Sequence, residues 1–441
     1  MILGRFLFGA LKNVIAVPLI AFFLASMCCG GCGKKEEKCN GIVVWHWMTD
    51  RHETLLKLAN QYKAETGKEV RFELNAPSDL YTTKVIAAAQ TGSLPEIFGV
   101  LGGSPDMARF INKNYIHNLT QDMEINGAEW KNYFFLRALE MNAFQEGNQW
   151  KVPAGIYGVP IDVTNIQMLY NKDIFEKAGI IKIPETWAEF IQAGDIIKEK
   201  TGEHFFVSGF GETWIINSMV MNFAYNLMGE EKIIKTFKGD VLYTDPDWIA
   251  VFSKFKEMVD HKFFASGVVT MINKSAERLF ATGKAAITYN GSWCVNVYKS
   301  MNPKLNYAAM FFPRISDQFP VVIQGGAGSS FVVSENSAKK EEAIQFLKWL
   351  TTKNVQITLA TDTSNLPSNK SAVGKMSIIL DTFAKNMDNT IHPSALPCLE
   401  DPSVEEAIAR GIQSIIIGET TPEKMAETLQ TLKQKIKAQN A

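Results

Sequence analysis

The chain has 441 residues, of which 45 are basic and 46 are acidic, and its formal net charge is -1. A charge so close to zero provides no global field that would attract nucleic acid or an anionic membrane surface, so neither partner is expected. Because single hydrophobic cores stop growing near about 250 to 300 residues, this length predicts two lobes.

Residues 1–40 differ in composition from the rest of the chain. Two basic residues, Arg5 and Lys12, precede the apolar run VIAVPLIAFFLA. This run is short for a membrane-spanning helix and has the layout of a secretory signal. The pattern predicts export, and an uncleaved anchor helix is the alternative interpretation.

The stretch SMCCGGCGKKEEKCN follows the apolar run and resembles a bacterial lipoprotein signal, in which a small residue precedes the lipidated cysteine and a charged tether follows it. Cys32, which follows Gly31, fits this pattern best. Cys28 lies closer to the apolar run, but Met27 before it is a poor cleavage residue, so both cysteines stay open as lipidation sites. Residues 1–40 are therefore expected to be the signal and tether of a protein anchored by lipid at the bacterial cell membrane, on its periplasmic or outer face.

Four of the six cysteines lie in residues 1–40, and Cys294 and Cys398 remain in the folded body. Two cysteines do not form a disulfide framework, and their spacing does not suggest a metal site. The sequence leaves open whether these two cysteines pair.

After the tether, the chain alternates strands with helices. The runs IVVWHW, EVRFEL and EIFGV are typical of strands, and the segments between them, TLLKLANQYKAETG and LYTTKVIAAAQTG, are typical of helices. In the first helix, apolar residues recur at i, i+3, i+4 and i+7, and Gly67 stands where a glycine cap is expected. This β-α-β-α-β order predicts an α/β fold built on a parallel sheet.

In such sheets, ligands collect beyond the carboxyl ends of the strands. The first and third strands end at the same edge, so the residues around those ends are candidates to bind a ligand. They are Trp45, His46, Trp47 and Asp50 at the first strand, and Gly103, Ser104 and Asp106 after the third. Core packing of the indoles and helix capping by Ser104 or Asp106 remain open alternatives.

Capping signals mark two later helices. Thr186 and Glu189 form a capping box, which makes Trp187 the first residue of a helix and predicts that it packs against the core. Thr421 and Pro422 are expected to be the N-cap and first residue of the last helix.

The segment GKAAITYNGSWC is typical of a strand that ends in a turn at Asn290 and Gly291. Trp293 then lies just beyond a strand end, as Trp47 does. Trp214 is expected to lie in a loop of the same half of the protein.

The sequence carries no recognisable catalytic or metal-binding motif. G-x-S-x-G, H-E-x-x-H and G-x-x-x-x-G-K-[ST] are absent, and the folded body has no C-x-x-C pair. His46 and His52 lie six residues apart near Glu53, a looser spacing than metal sites use, so hydrogen-bonded or solvated imidazoles are the simpler interpretation. We expect no enzyme activity, no cofactor and no metal.

Receptors for neutral sugars need flat aromatic faces with carboxylates, amides and backbone groups set between them, because a sugar offers apolar C–H faces and a rim of hydroxyls. The residues that could supply these groups are Trp45, His46, Trp47, Asp50, Trp214, Asn290 and Trp293. For each indole, core packing is the competing interpretation.

The segment IYGVPIDVTNIQMLYNKDIFEKAGIIKIPETWAEF, residues 156–190, closely resembles the extracellular solute-binding proteins of ABC sugar importers, the maltodextrin-binding group. It matches the family's Y-G-x-P strand that crosses between lobes, its L-Y-Y-N-K-D-L-F-x-x-A-G-I segment and its P-x-T-W helix start. LANQYKAETGKEVRFEL, GKAAITYNGSW and the segments from YAAMFFPRI to NLPSNKSA agree in order and spacing. Together they cover nearly the whole mature chain.

The resemblance implies a two-lobed periplasmic-binding-protein fold of the α/β class, in which each lobe is a mostly parallel sheet flanked by helices and hinge strands join the lobes. The expected first lobe comprises residues 41–161 and 312–361, and the second comprises residues 162–311 and 362–441. The chain is expected to cross between lobes near residues 160–163, 307–312 and 361–365. Family members of this kind close by hinge motion around a ligand.

The resemblance also implies ligand contacts, carried over to the matching positions of this chain. They are residues 47–50, Gly103 to Asp106, Asp162, Thr164, Trp214, Asn290, Trp293, Gly325 and Gly326. Two departures put the ligand's identity in doubt: the crossover reads DVTN, with its acid displaced to Asp162, and the second-lobe loop reads GETWII. A turn at Gly325 and Gly326 would also explain why both positions are glycine.

The function that the resemblance implies is capture of a sugar or oligosaccharide and its delivery to ABC permease subunits by a monomeric receptor. Three alternatives remain open at this point. The ligand could be another small solute such as a polyol phosphate or a polyamine, although a phosphate calls for Arg or Lys at the cleft and the proposed loops offer only Arg51. The chain could also be a secreted carbohydrate-cleaving lipoprotein, or an adhesion or scaffold lipoprotein with an immobile cleft.

Overall fold

The computed structural model describes residues 41–76, 78–101, 103–392, 396 and 398–440. The predicted signal and tether, with Cys28 and Cys32, lie outside these residues. Within the described ranges, no helix combines the length and the apolar composition that a membrane crossing needs.

The strands, in chain order, are β1 (Ile42–His46), β2 (Val70–Leu74), β3 (Ile97–Gly99), β4 (Ala143–Phe144), β5 (Gly155–Ile156), β6 (Val159–Asn171), β7 (His204–Val207), β8 (Ala285–Gly291), β9 (Tyr307–Met310), β10 (Ile323–Val333), β11 (Leu366–Pro367) and β12 (Thr390–Ile391). The helices are α1 (His52–Thr66), α2 (Ser78–Thr91), α3 (Gly103–Asn112), α4 (Thr120–Ala128), α5 (Leu136–Glu140), α6 (Lys172–Ala178), α7 (Trp187–Thr201), α8 (Thr213–Lys238), α9 (Pro246–Asp260), α10 (Asn273–Ala281), α11 (Cys294–Met301), α12 (Lys340–Leu350), α13 (Lys353–Thr363), α14 (Ile378–Lys385), α15 (Pro402–Ile416) and α16 (Pro422–Asn440).

One large sheet runs through the protein in the order β2-β1-β3-β10-β6-β8-β7, with helices packed against it. β1 pairs in parallel with β2 and β3, and β7 pairs in parallel with β8. The predicted β-α-β-α-β start and its parallel sheet are confirmed. Between the two parallel parts, β10 and β6 pair antiparallel with each other and with their outer neighbours.

Two of the hydrophobic clusters separate along the chain. One contains β1, β2 and Ile161, and resumes at Phe331. The other begins at Ile166 and includes Phe312 and Ile323. On β6 the buried residues of the first cluster end at Ile161, and on β10 they begin again at Phe331, whereas β9 pairs with the far end of β6. The positions at which the chain crosses between lobes stay a prediction.

Local capping signals are confirmed where they depend on neighbouring residues. Gly67 ends α1 with φ 73°, and its N–H donates to the Lys63 carbonyl. Thr186 and Glu189 form the expected capping box of α7, and Trp187 is buried. One prediction was wrong: β8 continues through Gly291, so the expected turn at Asn290 is strand.

The two cysteines of the folded body are both free thiols. Cys294 is buried at the start of α11, and Cys398 is partly buried. Cys294 and Cys398 therefore do not form a disulfide bond with each other, which the sequence had left open.

His46, the last residue of β1, is a packing residue. Its ring is 0 % exposed, and the Met48 N–H donates to Nδ1 at 3.2 Å. In the neutral ring Nε2 therefore carries the proton, and it lies 3.1 Å from Nδ1 of His52. Burial, with His52 and Arg51 nearby, lowers the pKa of His46 to about 4. All its polar atoms are engaged inside the protein, which removes His46 from the ligand-binding candidates.

The buried imidazole makes stability depend on pH. The pKa of His46 falls from 6.5 to about 4 on folding. The unfolded chain therefore binds more protons in that window, and stability is lost as pH falls through it. We expect His46→Gln to reduce the loss of unfolding free energy between pH 7 and pH 4.5 by on the order of 2 kcal/mol, measured by urea unfolding at both pH values. His204→Gln, which replaces an exposed ring, is the matched control. If wild type and His46→Gln lost the same unfolding free energy between pH 7 and pH 4.5, this assignment would be contradicted.

Candidate ligand-binding site

The two parallel parts of the sheet direct their carboxyl ends toward each other. Gly99, the end of β3, lies across β10 from Val159, because Phe331 is the register partner of both. Gly291, the end of β8, pairs with Ile166. Val159 and Ile166 are seven residues apart on one strand, or about 23 Å. The loops beyond both strand ends therefore face a gap whose floor is residues 160–165 of β6.

Trp45 lies inside β1, paired with Glu73 and Phe98, and the Lys84 ammonium lies 3.8 Å from the centroid of its ring. The Tyr81 hydroxyl donates to its carbonyl at 3.1 Å. The protein's own cation lies over the indole, which favours a packing role, and the predicted contact of Trp45 with ligand stays a prediction.

Trp47 lies beyond β1 with its ring partly buried. The ring packs 5.2 Å from the ring of Tyr81, centroid to centroid. It also lies directly over Gly99, where a Cβ would come within 2.2 Å of Cζ3. Gly99 is therefore required for this position of the indole, which forms one wall at the carboxyl edge of the first half.

The turn after Trp47 presents two exposed side chains, Thr49 and Asp50. Asp50 is 48 % exposed, and its Oδ2 lies 3.6 Å from Nε of Arg51. A carboxylate at a turn, with much of its surface open to solvent, can accept hydrogen bonds from ligand hydroxyls. Asp50 stays in the candidate set.

The loop after β3 leads directly into α3. Gly103 and Ser104 are the first residues of that helix, and their side chains lie outside the described part of the structure. Asp106 lies in the first turn and accepts from Nη1 of Arg109 at 2.9 Å. It also lines a largely apolar cavity of about 260 Å³ that is bounded by Tyr81 and Gly99, the residues that contact Trp47.

Trp214 and Trp293 form an aromatic pair in the second half. Trp293 follows the end of β8, and Trp214 lies in the first turn of α8. Their ring centroids are 5.8 Å apart at an interplanar angle of 58°. Trp214 is 40 % exposed, which is unusual for an indole. The pair therefore presents two angled apolar faces where β7 and β8 end.

Two local features hold this pair in place. Trp214 donates from Nε1 to Oε2 of Glu212 at 2.8 Å, and Oε1 of that carboxylate accepts from the Asn273 N–H at 2.7 Å. The Trp293 ring lies over Gly291, where a Cβ would come within 2.1 Å of two ring carbons. Glu212 thus fixes one indole, and a missing side chain makes room for the other.

Asn290 is buried in an internal network and is not open to a ligand. Its Nδ2 donates to Oε1 of Glu277 at 3.1 Å, and its Oδ1 accepts from the Gly291 N–H at 2.8 Å. Burial raises the pKa of Glu277, which is 3 % exposed. The predicted contact by Asn290 is therefore corrected to support of the strand end that carries Trp293.

The glycine pair is explained by packing on the floor of the gap. Gly325 and Gly326 lie in β10 opposite Asn165 and Thr164. A Cβ on Gly325 would lie 2.7 Å from Cβ of Asn165, and one on Gly326 would lie 2.1 Å from Sδ of Met141. No turn is present at either position, and close approach of side chains accounts for both glycines.

Asp162 and Thr164 lie on the same face of β6, because alternate residues of a strand share a face. Thr164 is partly exposed, whereas Asp162 is 2 % exposed. Oδ2 of Asp162 lies 2.8 Å from Nη2 of Arg51, and Nη1 of the same arginine donates to Oγ of Ser329 at 2.9 Å. We call Arg51, Asp162 and Ser329 the crossover cluster. Burial raises the pKa of Asp162, and the Arg51 guanidinium opposes that shift.

Asp162 was predicted to contact ligand, but its pairing with Arg51 and Ser329 was not predicted from the sequence, and three other residues were not assigned roles. Trp150 lines a cavity of about 640 Å³ together with residues of the second half, including Leu242, Glu400 and Lys433. Glu212 and Glu277 support the indoles but look like ordinary surface acids in the sequence. A signal for Trp150 existed, since it is one more indole in a polar loop. Across the described ranges, no group of three His, Cys, Asp or Glu side chains is placed to hold a metal.

Two relatives with similar sequences carry names that describe sugar-binding proteins. The multiple sugar-binding protein of Streptococcus mutans serotype c is 24% identical over 347 residues, covering 75% of this chain and 76% of the relative. The diacetylchitobiose binding protein DasA of Streptomyces coelicolor is 23% identical over 365 residues, covering 76% of this chain and 77% of the relative.

Solved structures agree with the fold. A chitin oligosaccharide binding protein matches with a TM-score of 0.69 at 22% identity, covering 90% of this chain and 98% of that one. Maltose-bound T. maritima MalE3 matches with a TM-score of 0.67 at 19% identity, covering 89% of this chain and 99% of that one. The two-lobed solute-binding fold expected from the sequence is confirmed. The family model described as bacterial extracellular solute-binding protein matches residues 57–386, which is more than half of the chain. The chain therefore belongs to the bacterial extracellular solute-binding proteins, a family of exported binding proteins.

Proposed function

We propose that this protein is the substrate-binding receptor of an ABC importer, which captures a neutral sugar or oligosaccharide between two lobes and delivers it to a membrane permease. The observation that carries the proposal is the partly exposed pair of Trp214 and Trp293, which lie beyond the carboxyl ends of β7 and β8. In this proposal, residues 41–161 and 312–361 form the first lobe, and residues 162–311 and 362–441 form the second.

The names of the relatives support the ligand class. A multiple sugar-binding protein and a diacetylchitobiose binding protein align over about three quarters of this chain. Their ligands carry apolar C–H faces and many hydroxyls, which suit angled indoles flanked by polar groups. A monomer suffices for this task, because a single chain provides both lobes.

The charges near the gap favour a neutral ligand over a phosphate or another anion. The guanidinium of Arg51 is engaged by Asp162 and Ser329. The ammonium of Lys84 lies over Trp45 and donates to Asn75. An anion would have to displace one of these internal partners, whereas a neutral sugar leaves them intact.

Closure would follow from a ligand that contacts both lobes at once. To change the ratio of closed to open molecules from 1:99 to 99:1, the ligand must bind the closed arrangement about 5.5 kcal/mol more tightly than the open one. Stacking on three indoles with shared hydrogen bonds is of that order. The closed, loaded form is what the permease would recognise, and the proposed chemistry ends at binding, with no covalent step.

Titration of the full-length chain in detergent with a panel of mono- and oligosaccharides should change its tryptophan fluorescence. We expect Trp214→Ala, Trp293→Ala and Trp47→Ala each to weaken the affinity for the bound sugar by about tenfold or more, because each removes an apolar face from the ligand. Trp349→Ala is the matched control, since this indole lies on α12 and donates to Glu65. The ratio of dissociation constants is the measurement.

Two outcomes would contradict parts of the proposal. A sugar that binds equally well to all three variants would remove the indoles from the site and leave the receptor class intact. Release of shorter products on prolonged incubation with an oligosaccharide would favour a carbohydrate-cleaving enzyme.

A single added methyl group tests the position of one indole. Because a Cβ at residue 291 would overlap the Trp293 ring, we expect Gly291→Ala to lower sugar affinity nearly as much as Trp293→Ala does. In the Trp293→Ala background, Gly291→Ala should have no further effect, which a double-mutant cycle of titrations measures. Additive losses in that cycle would show that Gly291 acts on the site by another route.

The lipid anchor is part of the proposal and is supported by the leader sequence. We expect Cys32→Ser to move the protein from the membrane pellet to the soluble fraction of cells that express it, and Cys28→Ser to leave it in the pellet, because only the lipidated cysteine holds the chain at the bilayer. Fractionation and labelling with a radioactive fatty acid measure this. Membrane retention of both variants without label would support the uncleaved anchor helix.

A further inference from the structure

We infer that the crossover cluster of Arg51, Asp162 and Ser329 is a positioning device that sets the balance between the open and closed arrangements of the two lobes. The inference extends the closure in the proposed function and rests on it. Neither the family description nor the names of the relatives assign a role to these three residues.

The cluster lies where β10 and β11 pair with β6 on its two sides. Asp162 on β6 has Ser329 of β10 as its partner on one side and Pro367 of β11 on the other. Any rotation of one lobe against the other must twist these strands relative to each other. A side chain that contacts two of these strands at once therefore has its contact distances or angles changed by the rotation.

Arg51 is such a group. Its guanidinium forms an ion pair with Asp162, with Nη2 lying 2.8 Å from Oδ2, and it donates from Nη1 to Oγ of Ser329 at 2.9 Å. The planar fork fixes the angle between these two bonds, unlike the rotatable ammonium of a lysine. A change in the twist of β6 against β10 must lengthen or bend at least one of them, so the cluster favours one twist over others.

The backbone around Ser329 is shaped for this contact. The register between β10 and β6 shifts on both sides of Ser329, as in a bulge, and such irregularities redirect side chains. A Cβ on the preceding Gly328 would lie 2.7 Å from Oδ1 of Asp162. The missing side chain leaves room for the carboxylate to lie over β10.

Stability alone does not account for this arrangement. A buried ion pair is commonly no more stabilising than apolar side chains of the same volume, and its distinguishing property is geometric specificity. Arg51 also belongs to the same turn as the exposed residues Thr49 and Asp50, which face the gap. A ligand that moves this turn moves the guanidinium, and through it the twist of the crossover strands.

The test measures the interlobe distance in the ligand-free, full-length chain. Ala64 on α1 and Lys177 on α6 are both exposed. Replacing both with a ketone-bearing amino acid allows spin labelling without touching the native cysteines. Pulsed electron resonance then gives the populations of short and long distances in the parent and in each variant.

We expect Arg51→Met to change the ratio of the two populations about tenfold, the effect of one lost charge-assisted hydrogen bond. Ser329→Ala, the mildest variant, should change it in the same direction by less. Arg51→Lys keeps the charge beside Asp162 but lacks the second arm, so it should match Ser329→Ala and add nothing in combination with it. Arg71→Met, which removes a guanidinium from β2, is the control and should leave the ratio unchanged.

Variants that unfold at a lower temperature but keep the parent's population ratio would show a merely structural cluster and overturn the inference. A single distance that no variant alters would do the same. Because no ligand is added, these results stand apart from the sugar titration. Sugar binding with an unchanged ratio overturns this inference alone, and a shifted ratio without sugar binding overturns the proposed function alone.

Discussion

The antiparallel pairing of β6 with β10 is the constraint on which the rest of the structure depends. These two strands are long enough to pair with each other in the middle and with different partners at their ends. One end carries the hydrophobic cluster around β1 and the other end carries the cluster around β8. Because these two clusters lie at opposite ends of the pairing, the ends can form separate lobes while the backbone hydrogen bonds keep the strands in register.

Close packing along this pairing explains glycines that a sequence alone assigns to turns. Gly325, Gly326 and Gly328 each lie where a Cβ would meet a neighbouring side chain, from Asn165, Met141 and Asp162 respectively. Gly99 and Gly291 do the same for the two indoles at the strand ends. At these positions, glycine is required because a larger residue would overlap a neighbouring side chain.

The sequence predicted those parts of the fold that depend on local interactions. The capping box of α7 and the glycine end of α1 involve residues within four positions of each other, and both are confirmed. Burial is a property of the tertiary structure, so Trp45 and Trp47 could not be separated by their position in the sequence. The Lys84 ammonium lies over the Trp45 ring, and no pattern around Trp45 indicates a cation that lies on α2.

The candidate site was predicted least well where polar side chains form hydrogen bonds within the protein and are not open to a ligand. Asn290 matches a family position, but its amide is used by Glu277 and Gly291, and the ring of Trp293 beside it is what the strand end presents. Likewise Glu212 orients Trp214 through a hydrogen bond. Glu212 thus orients one aromatic face before any ligand binds, which lowers the entropic cost of ordering the site on binding. In the proposed function, a neutral ring stacked between these indoles would leave Arg51 and Lys84 with their internal partners, and the proposed preference for neutral solutes rests on that condition.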